Sequence, residues 1–122
     1  NTSLSNKNIL VTGIGKGIGH QILKAFIARG AIVYGLTRSS KDLKIIGKGK
    51  NFKIFIGDVR DVNKIKKIFN ESKKDKRIIN GLVNNAGIRQ RAKIENITKK
   101  QIQEIFDINF FSVFRIMQIY FS

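Results

Sequence analysis

Short apolar runs and amphipathic stretches alternate along this chain. The first run, Ile9-Leu10-Val11, ends in Thr-Gly and reads as a buried strand. A glycine-rich turn follows. Beyond it Ile18, Ile22, Ala25 and Phe26 recur at helical spacing until Gly30, which stops the helix. Ala31 to Leu36 is a second strand. Ser39 or Ser40 stands where a cap is needed for a short helix over Asp42 to Ile46, and Gly47 and Gly49 end it. Phe52 to Ile56 is a third strand, closed by Gly57-Asp58. Asp61 opens a helix whose Ile65, Ile68 and Phe69 form one apolar stripe. Ile78 to Val83 is a fourth strand, followed by the polar turn Asn84-Asn85-Ala86-Gly87. Thr98 and Gln101 make a capping box. One long helix runs from there almost to the end, marked by Ile102, Ile105, Phe106, Val113 and Ile116.

Strands that alternate with helices, each short and apolar on both faces, specify a parallel sheet covered on both sides. The expected fold class is α/β: a three-layer, Rossmann-like sheet of four strands. Right-handed crossovers and the usual winding give the strand order 3-2-1-4. The 122 residues show no repeat, low-complexity tract or internal linker, so residues 1–122 are read as one domain.

Composition narrows the possible chemistry. A 42% hydrophobic content fits a globular protein. The absence of Cys excludes disulfides and cysteine-ligated metal, and suits a reducing compartment. The single histidine, His20, is too little for a histidine metal site or a Ser/His/Asp triad. No apolar run approaches the roughly 18 to 20 residues of a membrane span. Asn1 to Asn8 are polar, unlike the apolar core of a signal peptide, so a cytoplasmic protein is expected. The chain starts at Asn1 rather than Met, and a trimmed chain or a fragment of a longer product stays open.

The charge is extreme, with 24 Lys plus Arg against 8 Asp plus Glu and a net of +16. A polyanion partner is one reading. The preferred one is drift in a Lys-, Ile- and Asn-rich chain. The basic residues spread over Lys41 to Lys53, Lys64 to Arg77 and Lys99 to Lys100, with no aromatic residues interleaved for base stacking. Nucleic acid is therefore not the expected partner.

The central chemical feature is the turn Thr12-Gly13-Ile14-Gly15-Lys16-Gly17-Ile18-Gly19. A pyrophosphate needs backbone N–H donors, close approach and the positive end of a helix dipole. Glycines at 13, 17 and 19 permit the turn, the approach and the packing of helix on strand. The spacing is Thr-Gly-x-x-x-Gly-x-Gly, not the general G-x-G-x-x-G fingerprint. In this spacing the chain resembles the short-chain dehydrogenase/reductase family, whose cofactor motif it is. The resemblance implies that Gly13, Gly15, Lys16, Gly17, Ile18 and Gly19 bind a nicotinamide dinucleotide. A glycine-rich loop without a ligand is the competing reading.

The end of the second strand bears on which dinucleotide. An acidic residue there bonds the ribose hydroxyls of NAD; this chain has Thr37, followed by Arg38. A phosphate on the adenine ribose needs a cation, and a planar guanidinium suits it. The resemblance adds Lys16, because NADP(H)-using members place a second cation in the glycine loop. Together they point to NADP(H), against a reading of both as ordinary solvated charges.

The resemblance assigns further positions. In Gly57-Asp58-Val59, Asp58 bonds the adenine amine and Val59 donates its backbone N–H; Asp58 equally suits a turn or a helix cap. Asn84-Asn85-Ala86-Gly87 matches the family motif residue for residue, at the strand end where open sheets bind ligands. Asn85, Ala86 and Gly87 are thereby assigned to bracing the sheet and contacting the cofactor ribose. Asn109 falls on the stripe of Ile105, Phe106, Val113 and Ile116, where an amide is costly without partners. The resemblance makes it the Asn of a catalytic tetrad, which kinks the helix and holds a water near the active-site lysine. A core Asn satisfied by backbone is the other reading.

The rest of that tetrad is a Ser after the next strand and a Tyr-x-x-x-Lys on the following helix, whose lysine lowers the tyrosine pKa for acid–base work. Tyr34 is followed four residues on by Arg38 and lies in a strand, and Tyr120 has no residue four positions on. The resemblance thus covers the amino-terminal half of the family fold. It implies the NADP(H)-binding portion of a carbonyl or 3-oxoacyl reductase, inactive by itself. A stand-alone, non-catalytic nucleotide-binding or oligomerising protein is the alternative. The fourth strand is expected at a sheet edge, and the last helix is expected to expose Phe110, Phe111, Phe114 and Phe121. Such faces mean a partner, and the family uses this helix at its dimer interface, so a homo-oligomer through residues 99–121 is expected.

Overall fold

The computed structural model describes residues 3–15, 17–87 and 93–122. Strand β1 is Asn8–Thr12 and helix α1 is Gly17–Ala28. β2 is Ile32–Thr37, α2 Lys41–Ile46, β3 Phe52–Ile56, α3 Val62–Lys74 and β4 Gly81–Val83. A single 3-10 turn, Ile94–Asn96, precedes a helical segment made of α4 (Lys99–Phe106), a π turn (Asp107–Phe111) and α5 (Ser112–Tyr120).

All strand pairings are parallel, and the order is β3-β2-β1-β4, as the winding rule requires. Leu10 pairs with Tyr34 on one side and Leu82 on the other, and Tyr34 pairs with Lys53. β3 and β4 are the two edges.

Successive strand residues point to opposite faces, and this splits the core in two. On one face Ile9, Val11 and Val33 pack with Ile14, Leu23 and Ala31. On the other, Leu10, Tyr34 and Leu36 pack with Ile65 and Ile68 of α3 and with Ile108 and Ile116 of the last helical segment. Strands buried on both sides need no polar alternation, which is why they read as continuous apolar runs.

The capping chemistry is mostly where the residues put it. Asp61 caps α3 by accepting the Lys64 N–H, and Lys73 and Lys74 sit in its last turn, where the dipole favours cations. Thr98 and Gln101 form the reciprocal capping box of α4. At α2 the cap comes from the earlier serine: Ser39 Oγ accepts the Lys41 N–H at 3.2 Å, while Ser40 makes no side-chain cap bond.

Three elements depart from the sequence reading. β2 begins at Ile32 and includes Thr37. β4 keeps only Gly81–Val83. Before it, Asn80 Oδ1 accepts the Asn8 N–H at 2.9 Å, Asn8 Nδ2 donates to the Ile78 carbonyl at 3.1 Å, and the Asn80 N–H donates to the Asn8 carbonyl at 2.8 Å. Side chains share the pairing with the backbone there, and Ile78 is exposed. The last helix is one segment with a π turn inside it. That turn holds one residue more than an α turn, so the face packed on the sheet shifts by one position on its amino-terminal side. The buried line is Ile108, Ser112 and Ile116, while Ile102 and Phe106 are exposed.

Tyr34 is fully buried, yet its hydroxyl donates to Asp75 Oδ2 at 2.8 Å. Asp75, the residue that ends α3, is also paired with Lys53 Nζ on β3 at 2.8 Å. The Lys53 ammonium and then the Tyr34 hydroxyl hold the Asp75 carboxyl below its ordinary range, and burial pushes the Tyr34 phenol up. A depressed folded-state pKa contributes stability above the unfolded value of about 3.9 and loses it as the pH falls toward the folded value. Thermal melts should therefore show a fall in Tm below about pH 4, and Asp75→Asn should flatten that part of the profile. An unchanged profile in the variant removes Asp75 from the acid response.

Candidate functional site

The site is built from turns at the carboxyl ends of the four strands. β1 feeds the glycine turn, whose path is fixed by backbone bonds: Gly13 N and Ile14 N both donate to the Leu36 carbonyl, at 2.9 and 3.3 Å. Thr12 adds the tie to β4. Its Oγ1 accepts the N–H groups of Asn85 and Ala86 at 3.1 and 3.0 Å, and Asn85 Nδ2 donates to the Gly13 carbonyl at 3.0 Å. The β1 and β4 turns are thus one bonded unit. Asn85 has a bracing role in this geometry, and Thr12, buried, is a member that the motif reading left without a task.

The glycines answer to different neighbours. A Cβ on Gly13, at φ +69°, would lie 2.9 Å from the Ala86 backbone. A Cβ on Gly19 would lie 1.9 Å from the Gly13 carbonyl oxygen, so α1 can pack on the turn only because that Cβ is missing. Gly17, at φ +64°, has nothing within 4 Å of such a Cβ. Open space therefore lies over the first turn of α1, which carries no acidic residue. Backbone N–H groups and the positive end of a 12-residue helix face that space without a like-charged competitor, an arrangement that fits a pyrophosphate. Ile18 is exposed beside it. Lys16 lies outside the described residues.

The second cluster joins β2, α2 and β3. Thr37 is buried, and its hydroxyl donates to Asp42 Oδ2 at 2.6 Å. The same carboxylate lies under the glycine turn, where a Cβ on Gly15 would meet it at 2.0 Å. Asp42 was legible only as a residue in the first turn of α2; its proximity to Gly15 is tertiary. Next along, Arg38 is exposed and its Nη2 stands 3.9 Å from Asp58 Oδ2. Asp58 is held mainly by Arg60: Nε donates to Oδ1 at 2.9 Å, Nη2 to Oδ2 at 2.6 Å, and the Arg60 backbone N–H to Oδ1 at 2.9 Å. That fork keeps the Asp58 carboxyl below its ordinary range. Asp58 is thus a turn residue rather than a helix cap, since Asp61 caps α3. Arg60 escaped the sequence reading, although the two-residue spacing of an Asx turn is its signal. Val59 buries its side chain in the core, which leaves only its backbone for a ligand.

Asn109 does not lie on the buried stripe. The π turn rotates it out, and it is exposed. Its Oδ1 would lie 3.1 Å from a Cβ on Gly87, so the helix brings Asn109 against the Asn-Asn-Ala-Gly turn. A groove of about 670 Å³ lies elsewhere, between α3 and α5, and includes none of these residues.

A glycine turn feeding a helix at the end of the first strand of a 3-2-1-4 parallel sheet defines a Rossmann-type α/β fold. The short chain dehydrogenase family profile matches residues 7–122. The chain belongs to that family, whose members bind nicotinamide dinucleotides. It is 32% identical over 120 residues to the uncharacterised oxidoreductase YIR035C of Saccharomyces cerevisiae, covering 93% of this chain and 46% of that protein. The crystal structure of YIR035C superposes with a TM-score of 0.85, covering 93% of this chain and 47% of the other. It is 33% identical over 116 residues to the 3-oxoacyl-[acyl-carrier-protein] reductase FabG of Salmonella typhimurium, covering 93% of this chain and 48% of that one. It is 29% identical over 107 residues to the NADPH-dependent 3-dehydrocapnine reductase of Ornithobacterium rhinotracheale, covering 84% of this chain and 38% of the relative. The chain spans about half the length of the curated relatives it matches.

Gly19→Ala is the sharpest test of the glycine turn. The new methyl collides with a backbone oxygen, not a yielding side chain, so the turn has to move. A loss of about 1 to 3 kcal/mol in chemical denaturation is expected, together with loss of dinucleotide binding. Native stability and binding in this variant would remove the helix–turn contact from the account.

Proposed function

We propose that this chain binds NADP(H) across the carboxyl ends of its strands, as the cofactor-binding portion of a carbonyl or 3-oxoacyl reductase acting in the cytoplasm. The pyrophosphate lies on Gly13, Gly15, Gly17, Ile18 and Gly19, and Lys16, outside the described residues, is assigned to the same cofactor. Asp58 and the Val59 N–H face the adenine, and Asn85, Ala86 and Gly87 border the ribose. The observation that carries the choice of NADP(H) is Arg38. It follows a neutral Thr37 at the end of β2, is exposed, and among the described residues is held only by an ion pair too long for a hydrogen bond. A guanidinium in that state can turn to a phosphate on the adenine ribose. Relatives named as an NADPH-dependent reductase and a 3-oxoacyl reductase support the reading.

Asp42 favours a second reading, NAD(H). Its carboxylate, between Thr37 and Gly15, reaches from α2 the place where an acidic strand-end residue would meet ribose hydroxyls. Calorimetry separates the two. NADPH should bind more tightly than NADH, Arg38→Ala should weaken NADPH on the order of tenfold, and Asp42→Asn should leave NADH little changed. Equal affinities, or a selective loss of NADH binding in Asp42→Asn, would favour NAD(H). Asn109 is assigned to the catalytic tetrad, but these residues carry no Tyr-x-x-x-Lys, and with NADPH and a panel of ketones no cofactor oxidation is expected from them.

The helical face bearing Phe106, Phe110, Phe114 and Phe121 is exposed. We assign it to contact between copies of this chain. Light scattering at micromolar concentration should give at least a dimer, and a clean monomer would count against the assignment.

A further inference from the structure

Asp58 stands between two guanidiniums that hold it in different ways. Arg60 closes a two-point fork on it at 2.9 and 2.6 Å and adds its own backbone N–H at 2.9 Å. Arg38 approaches the same Oδ2 only to 3.9 Å, and its side chain is 58% exposed against 39% for Arg60. Planar forks on carboxylates are among the stronger ion pairs, whereas an exposed pair at that separation is worth little. Arg60 also lines an open groove of about 190 Å³ with Asp107 and Ser112 of the last helical segment, where the charges of Glu104 and Asp107 favour its cation. The division of labour is therefore built in: one arginine is committed to the carboxylate and the other is left over.

The arithmetic of charge explains what this does. Arg38, Asp58 and Arg60 together carry one net positive charge, located on the loosely held Arg38. Without Arg60, the same cluster is neutral. The carboxylate would lose its fork and draw in the nearest guanidinium, that of Arg38. An incoming phosphate would then meet a closed ion pair and a carboxylate in place of a free cation. We propose that Arg60 is a positioning residue for specificity: by occupying Asp58 it keeps Arg38 available for the phosphate on the adenine ribose. This rests on the NADP(H) reading above and adds to it a residue that touches no ligand atom.

The test uses two probes that isolate the adenosine end. 2′,5′-ADP carries the additional phosphate and 5′-AMP lacks it, so the ratio of their affinities reports that phosphate alone. Calorimetry on the full 122-residue chain should give a clear preference for 2′,5′-ADP. Arg60→Ala should lower the ratio on the order of tenfold. Asp58→Asn combined with Arg60→Ala should restore it, because the carboxylate that captures Arg38 is gone. A merely structural Arg60 would weaken both probes alike, and the second substitution would not rescue the ratio; either result overturns the proposal. Arg60→Gln, neutral and close in length, makes the same comparison if the alanine variant unfolds. An unmodified chain that binds both probes equally sinks the NADP(H) reading itself, whatever the variants do.

Discussion

The Thr12 hydroxyl is the hinge point of the site. One oxygen accepts two successive N–H groups from the turn after β4 while its own backbone leads into the turn after β1. These turns are far apart in sequence and belong to strands that are neighbours only because of the winding. Two buried donors need an acceptor, and leaving either unsatisfied costs about 1 to 3 kcal/mol. The bond therefore does more than brace the sheet. It sets where the glycine turn can lie, together with the Asn85 amide on the Gly13 carbonyl. Helix α1 then seats against the same carbonyl through a missing methyl.

In the proposed NADP(H) site, charge pairing carries the selectivity. The chain's net charge of +16 spreads over many exposed lysines and distinguishes little by itself. What distinguishes is pairing. Beyond the ends of β2 and β3 each of these carboxylates has a close donor, Thr37 for Asp42 and Arg60 for Asp58. Arg38, which follows β2, stands 3.9 Å from Asp58 and has no closer ion pair among the described residues. At the opposite end of the strands, Asp75 joins Tyr34 and Lys53 and serves the packing of α3 on the sheet.

Local chemistry made much of this legible before any coordinates. Continuous apolar runs announced strands buried on two faces; Asp61, Thr98 and Gln101 announced helix starts; the glycine spacing announced the turn. Each of those signals is carried by residues close in sequence. The misses are tertiary. Ahead of β4 the pairing is shared between backbone and the side chains of Asn8 and Asn80, and Ile78 stays exposed. Asp42 and Arg60 matter through what lies across from them, which no spacing encodes. Asn109 was placed on a buried stripe because Ile102, Phe106, Val113 and Ile116 fit an uninterrupted helix, and only the π turn reveals that the first half of that pattern faces solvent.

That π turn lets the segment carry one residue more than an ordinary helix without losing register. One residue is worth about 100° of rotation around a helix axis. The wider turn between Asp107 and Phe111 absorbs that rotation, so removing one residue inside it would restore an ordinary helix and leave both flanks on the faces they now show. The same deletion made within α4 or α5 would instead swing one part of the segment around its axis relative to the other. Where a residue is lost along this segment therefore matters more than the loss itself.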